Sequence, residues 1–181
     1  MVLVFLADGF EEVEALTPVD ILRRAGLDVV TVAIGDEKTV VGSHGIAVQT
    51  DVTAANLPAC IPELIFLPGG MPGTKNLDAS ATVRTYLERA LLSGAYIAAI
   101  CAAPMILGKQ GLLVGKKATC YPGFEQYLTG AEVGGQIVSD GKIITGRGMG
   151  VAVPFALRLV EALCGEEKAL AIADAICYVA E

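Results

Sequence analysis

A single histidine, His44, in a chain of 181 residues leaves few ways to assemble a zinc site, and no structural metal is expected. The sequence also lacks any cluster of Lys and Arg that would neutralise a row of phosphates. Its net charge of −7 comes from scattered acids, so neither nucleic acid nor an anionic membrane is expected as a partner. No apolar run approaches the roughly 18 residues of a membrane span. The opening stretch MVLVFLADGFEE has no basic leader and meets acids almost at once, which does not read as a secretory signal. Five cysteines, Cys60, Cys101, Cys120, Cys164 and Cys177, form no CxxC pair and no even disulfide set. A reducing, cytoplasmic setting is expected from that usage.

What is abundant is apolar. Hydrophobic residues make up 54% of the chain and charged residues 18%, which implies an extensive core in a single domain over residues 1–181. A domain of that length buries roughly 70% of its unfolded surface. Residues 2–7, VLVFLA, form a continuous apolar run closed by Asp8 and Gly9, the pattern of a strand buried on both faces. From Glu12, the apolar residues Val13, Leu16, Val19 and Leu22 recur at helical spacing until Gly26. Further strands are read at 28–34, 63–70 and 95–101, and helices at about 80–92, 103–108, 152–163 and 167–178. This alternation implies an α/β sandwich with a mainly parallel sheet and helices on both faces. Short β-prone pieces around Gly42 and Gly45, and the Asp-Gly turn in GQIVSDGKIITG, add a small antiparallel part.

In such a sheet, ligands bind beyond the carboxyl ends of the strands. Cys101 ends the fourth apolar run, and Pro104 is tolerated only in the first turn of a helix. The thiol therefore belongs to a strand-to-helix elbow, where Ala102 and Ala103 leave room for close packing. A helix N-terminus there would favour thiolate, although a free cysteine is also among the residue types most often simply buried. Of the other four cysteines, only Cys120 also ends a short apolar run.

The turn LPGG offers backbone N–H groups of Gly69 and Gly70 for an oxyanion, and Ala102 N–H adds another. In DGFEEVEAL, the acids Glu11, Glu12 and Glu14 open the first helix, where acids commonly just satisfy the helix dipole. The first strand should be central, so one of these carboxyls would reach Cys101. Such a pair works only if the carboxyl is protonated and donates to the sulfur, which predicts a raised glutamate pKa. His44 reads as an exposed turn residue. The stretch TGRGMGVAV follows a strand and precedes a helix, but its GxGxG lacks the dinucleotide register and falls in the last unit.

The strand-end glutamates, FLPGG and AAICAAP, in this order, resemble the ThiJ/PfpI superfamily. The likeness is greatest to the branch that holds the human Parkinson's-disease protein deglycase and bacterial YajL. It runs from ADGFEEVEALTPVDILRRAG through GRGMG to FALRLVEALCG. The resemblance implies a flavodoxin-like fold and a homodimer. It further implies Cys101 as the nucleophile, Glu14 as a protonated partner, and backbone N–H groups of Gly70 and Ala102 as the oxyanion site, with no cofactor. The activities it implies are cofactor-free conversion of methylglyoxal or another α-oxoaldehyde to a hydroxy acid, and repair of early glycation adducts. A redox sensor or chaperone using an oxidisable cysteine is the alternative. An amidase or peptidase is disfavoured, because the protease-like branch has histidine directly after the nucleophile and this chain has Ala102. Gly69, Tyr121 and His44 are candidate substrate-site or neighbouring residues. Tyr121 stands where some branch members carry histidine, and His44 aligns with a family arginine contributed near the partner's site.

Overall fold

The VLVFL run forms β1 (Val2–Leu6), and each of its side chains is buried. The structure, a computed structural model, describes residues 1–57 and 59–179. Residues 58, 180 and 181 of the expected 1–181 domain lie outside the described residues. Helix α1 (Glu12–Arg24) follows and stops where Gly26 takes a left-handed φ of 84°. Gly26 N–H there bonds Arg23 O at 3.0 Å and Leu27 N–H bonds Leu22 O at 3.2 Å, the paired bonds that close a helix on glycine. Strand β2 (Val29–Ala33) is followed by the β3 (Thr39–Val41) and β4 (Ala47–Gln49) hairpin and by short β5 (Val52–Thr53). Then come β6 (Leu64–Leu67), α2 (Gly73–Ala79), α3 (Ala81–Ser93), β7 (Tyr96–Ile100) and α4 (Pro104–Lys109). The chain closes with β8 (Lys117–Ala118), β9 (Glu132–Val133), β10 (Ile137–Asp140), β11 (Ile143–Gly146), α5 (Ala152–Cys164) and α6 (Glu166–Ala175).

Seven strands make one sheet in the order β10-β11-β7-β6-β1-β2-β5, with β10 antiparallel to β11 and the rest parallel. The run β2-β1-β6-β7-β11 is the flavodoxin-like order, so the fold is the expected α/β sandwich. Successive side chains along a strand face opposite layers. Accordingly Val2, Val4, Leu6, Phe66 and Ile100 pack with α1, α5 and α6. Leu3, Phe5, Ile65, Leu67 and Ala99 pack with Leu77, Val83, Leu87 and Met105 on the other side. Phe66 and Phe155 meet at 5.7 Å between ring centroids in the first of these layers, and burying each such ring stabilises by about 1.5–3 kcal/mol.

Three features depart from the sequence reading. On α1 the buried stripe is Ala15, Val19 and Leu22, whereas Val13 and Leu16 face outward. Helix α2 gave no periodic signal because Leu77 is its one large apolar residue. The β8–β9 pair is parallel and only two residues long, too short to leave a pattern. No helix among the described residues is long and apolar enough to cross a membrane.

Candidate active site

Between β1 and β6 the chain changes its direction of travel across the sheet, and crevices at such switch points are where ligands bind in these folds. The loops that leave β1, β6, β7 and β11 converge there. Cys101 lies one residue beyond β7, at a φ of 63°. A left-handed φ in a residue with a Cβ costs about 1–3 kcal/mol and persists only when the surroundings enforce it. Here Cys101 N–H donates to Gly146 O at 2.8 Å and Cys101 O accepts Tyr121 N–H at 2.7 Å. Pro104 is the first residue of α4, so the elbow lies where the proline placed it. Gly146 permits the arrangement, since a Cβ there would come within 2.9 Å of both Ile100 and Phe155.

The three acids of DGFEEVEAL take three different roles. Glu11 caps α1, its Oε2 accepting Glu14 N–H at 2.6 Å. Glu12 turns to the β3–β4 hairpin, where it accepts His44 N–H at 2.7 Å and lies 2.8 Å from His44 Nδ1. Glu14, only 1% exposed, turns inward. It accepts Gly69 N–H at 3.1 Å and shares hydrogen bonds with the Cys101 thiol and Met149 N–H. Gly69 has to be glycine for this, because a Cβ would sit 2.5 Å from Glu14 Oε2 and 2.6 Å from Cys101 Cβ. Gly70, at a φ of 90°, and Ala102 direct their N–H groups at the sulfur.

Burial pushes the Glu14 carboxyl up to about 7, with the Glu11 charge adding to the effect, against the bonds from Cys101, Gly69 N–H and Met149 N–H. The raised glutamate is thus met. Burial and an ionised Glu14 also push the Cys101 thiol up, and the N–H groups of Ala102 and Gly70 pull the other way without prevailing. The simple expectation of a thiol lowered by a helix end is therefore corrected, because burial and the carboxyl that shares the site outweigh the backbone N–H groups. The two groups titrate as a pair. The singly protonated pair carries one negative charge on either group, and the form with the proton on Glu14 leaves thiolate facing two N–H donors.

The remaining candidates divide. Tyr121 lies at the rim, half exposed, with its ring against Gly148. His44 is exposed and bound to Glu12, which raises its pKa through the hydrogen bond and the carboxylate charge; its contacts are with Ser43 and Glu12. Glu11, Glu12 and His44 offer ligand atoms within 4.8 Å of one another, but both Glu12 oxygens already accept hydrogen bonds. Cys120 is a buried thiol pushed up to about 11 by burial and Glu125, against Arg147. The TGRGMG loop contributes in a way that sequence reasoning missed. It brings Gly148 and Met149 to Glu14, and its only sequence signal was a glycine pattern weighed for a nucleotide. A cavity of about 520 Å³ beyond β1 and β2 is lined by Asp8, Asp36, Glu37 and Asn76, which supply carboxylates but no thiol.

Comparison with known proteins fits this geometry. A family model described as the DJ-1/PfpI family matches residues 1–162. Protein DJ-1 homolog B of Arabidopsis thaliana is 38% identical over 174 residues, covering 94% of this chain and 40% of that protein. The chain thus spans less than half the length of its two plant relatives, 40% and 44%. Glutathione-independent glyoxalase DJR-1.2 of Caenorhabditis elegans is 31% identical over 170 residues, covering 92% of this chain and 90% of that protein. Among solved structures, oxidized Toxoplasma gondii DJ-1 superposes with a TM-score of 0.95 at 38% identity, covering 99% of this chain and 98% of that one.

Proposed function

The chain belongs to the DJ-1/PfpI family, and from that premise we propose that it is a cofactor-independent cysteine enzyme acting on α-oxoaldehydes or early glycation adducts. The observation that carries this reading is the buried Glu14 carboxyl hydrogen-bonded to Cys101 with the Gly70 and Ala102 N–H groups facing the sulfur. The name of the nematode relative supports the glyoxalase form of it.

The steps follow from that geometry. Cys101 thiolate adds to the aldehyde carbon, and the new oxyanion lies against Gly70 and Ala102 N–H. Glu14 protonates this oxygen, then, as carboxylate, takes the proton from the former aldehyde carbon, giving an enediolate. The hydroxyl proton on the first carbon's oxygen passes to the second oxygen, and Glu14 delivers the carbon-derived proton to the second carbon. The first carbon is oxidised as the second is reduced, so no external electron acceptor is required. Water hydrolyses the resulting thioester, releasing a hydroxy acid and restoring the thiol. Methylglyoxal plus water thus becomes lactic acid. An adduct carrying the same two-carbon unit would enter after release of its amine or thiol.

Lactate formation from methylglyoxal without glutathione tests this, with Cys101→Ser and Glu14→Gln as controls. Turnover in the parent, falling by about 10²–10⁴ in Glu14→Gln and vanishing in Cys101→Ser, is the expected result. Absence of turnover in the parent protein defeats the reading.

A second reading draws on the oxidized state named for the Toxoplasma relative. Two equivalents of peroxide would convert Cys101 thiolate to sulfinate, with Glu14 and the same N–H groups holding the added oxygens. Mass spectrometry of Cys101 after peroxide treatment separates it from the first. A homodimer belongs to either reading. Val13 and Leu16 on α1, and Val41 and Ile46 on the hairpin that hydrogen-bonds to the start of that helix, are exposed apolar residues. Sedimentation of Leu16→Glu against the parent tests their part in the dimer, and a lighter variant is expected.

A further inference from the structure

Three of the loops that assemble the surroundings of Cys101 each expose one large apolar side chain at the rim. Met71, 39% exposed, directly follows Gly70, whose N–H faces the sulfur. Tyr121, 50% exposed, donates its own N–H to Cys101 O. Met149, 53% exposed, donates its N–H to Glu14. A lone exposed apolar side chain needs no explanation. Here, however, three of them stand on, or directly beside, the residues whose backbone N–H groups build a polar site, and apolar lining around a few polar groups is the mark of a ligand site. We propose that Met71, Tyr121 and Met149 form a subsite for an apolar or aromatic substituent next to the reacting carbonyl.

The geometry makes Tyr121 the centre of this rim. A Cβ on Gly148 would lie 3.4 Å from Tyr121 Cδ2 and 3.9 Å from Glu14 Oε1, so the ring and the carboxyl border the same small volume. The ring is also braced. It meets Phe124 edge-on at 6.5 Å and 76°, and Phe124 in turn meets Tyr127 at 6.0 Å. A preset aromatic wall captures a flat apolar group with little ordering cost. Glyoxal carries no substituent to occupy it, whereas the phenyl ring of phenylglyoxal would cover Tyr121 and Met149. The substrate class is thus an α-oxoaldehyde or adduct with an aryl or bulky alkyl group. This inference rests on Cys101 attacking the carbonyl carbon.

The test compares kcat/KM for phenylglyoxal and glyoxal in the parent, Tyr121→Ser, Met149→Ser and Tyr121→Phe. The parent should prefer phenylglyoxal, and the ratio should fall about tenfold in Tyr121→Ser, as for loss of one apolar contact in a pocket. Tyr121→Phe should keep the ratio, because the ring and not the hydroxyl makes the contact. An unchanged ratio in both serine variants overturns the subsite, and Met149→Ser carries the test alone if Tyr121→Ser does not fold. If neither aldehyde is turned over, the proposed activity has failed while the subsite is still judged by alkylation of Cys101, followed by peptide mass. N-phenyl iodoacetamide should then outpace iodoacetamide by a margin that shrinks about tenfold in Tyr121→Ser. An unchanged margin overturns the subsite independently of catalysis.

Discussion

Two carboxyls separated by one residue on the first turn of α1 are both almost fully buried, yet they are driven in opposite directions. Glu12 is pulled down to about 2, because hydrogen bonds from the His44 ring, His44 N–H and neighbouring backbone outweigh its burial. Glu14 rises to about 7, because burial outweighs two N–H donors and a thiol, and Glu11 adds a like charge. Depth of burial and donor supply together set the ionisation of each acid: Glu12 lies against the exposed His44, where the donors prevail, and Glu14 turns inward beside Cys101 and Gly69, where burial prevails.

The largest expected effect is on turnover. If Glu14 carries the proton, aldehyde conversion should rise as the Glu14–Cys101 pair loses its first proton near pH 7, and Glu14→Gln should erase that limb along with most of the rate. Glu12→Gln should keep both the limb and most of the rate, since Glu12 faces His44. A Glu12→Gln profile as damaged as that of Glu14→Gln would abolish the division between the two acids.

Stability should show the next contrast. Glu14 binds its proton more tightly folded than unfolded, so its contribution is fully present below about pH 4.5 and is lost as pH rises through about 7. The loss amounts to about 3 kcal/mol at 1.36 kcal/mol per pKa unit. Urea unfolding at pH 4.5 and pH 8 should therefore find Glu14→Gln gaining on the parent by about that amount as pH rises. Parallel curves for the two proteins would show that Glu14 is not held protonated by the fold.

Much of this was legible beforehand, and the limits have physical causes. Parallel strands buried on both faces leave continuous apolar runs, so β1, β6 and β7 and the order of their helices could be read directly. Pro104 located the elbow because its ring restricts where a helix begins. The division of labour among Glu11, Glu12 and Glu14 was not legible. It depends on which donors face each acid, and those come from Gly69, Met149 and His44, each distant in the chain. Nor could the outward turn of Val13 and Leu16 be read, since their spacing suits a buried face as well as an exposed one. Long-range pairing decides such points, and periodicity is silent on it.

The smallest expected effect lies on the Glu12 side. A carboxyl whose folded pKa lies below its unfolded value contributes stability above about pH 4.5 that is lost as pH falls through about 2. His44 is solvent-exposed, so screening limits the Glu12 contribution to about 1–2 kcal/mol. The imidazole supplies its charge only below its own raised pKa, so its contribution is present in acid and declines as pH rises through that value. His44→Ala should therefore destabilise more at pH 5 than at pH 8, the same direction as the Glu14 contribution and opposite to the loss of the Glu12 contribution in acid. It should also shift Glu12 titration upward, visible in carbon-detected NMR of the side-chain carboxyl. An unmoved Glu12 in that variant would assign its low pKa to the backbone N–H groups alone, leaving the donor-supply argument intact but taking the histidine out of it.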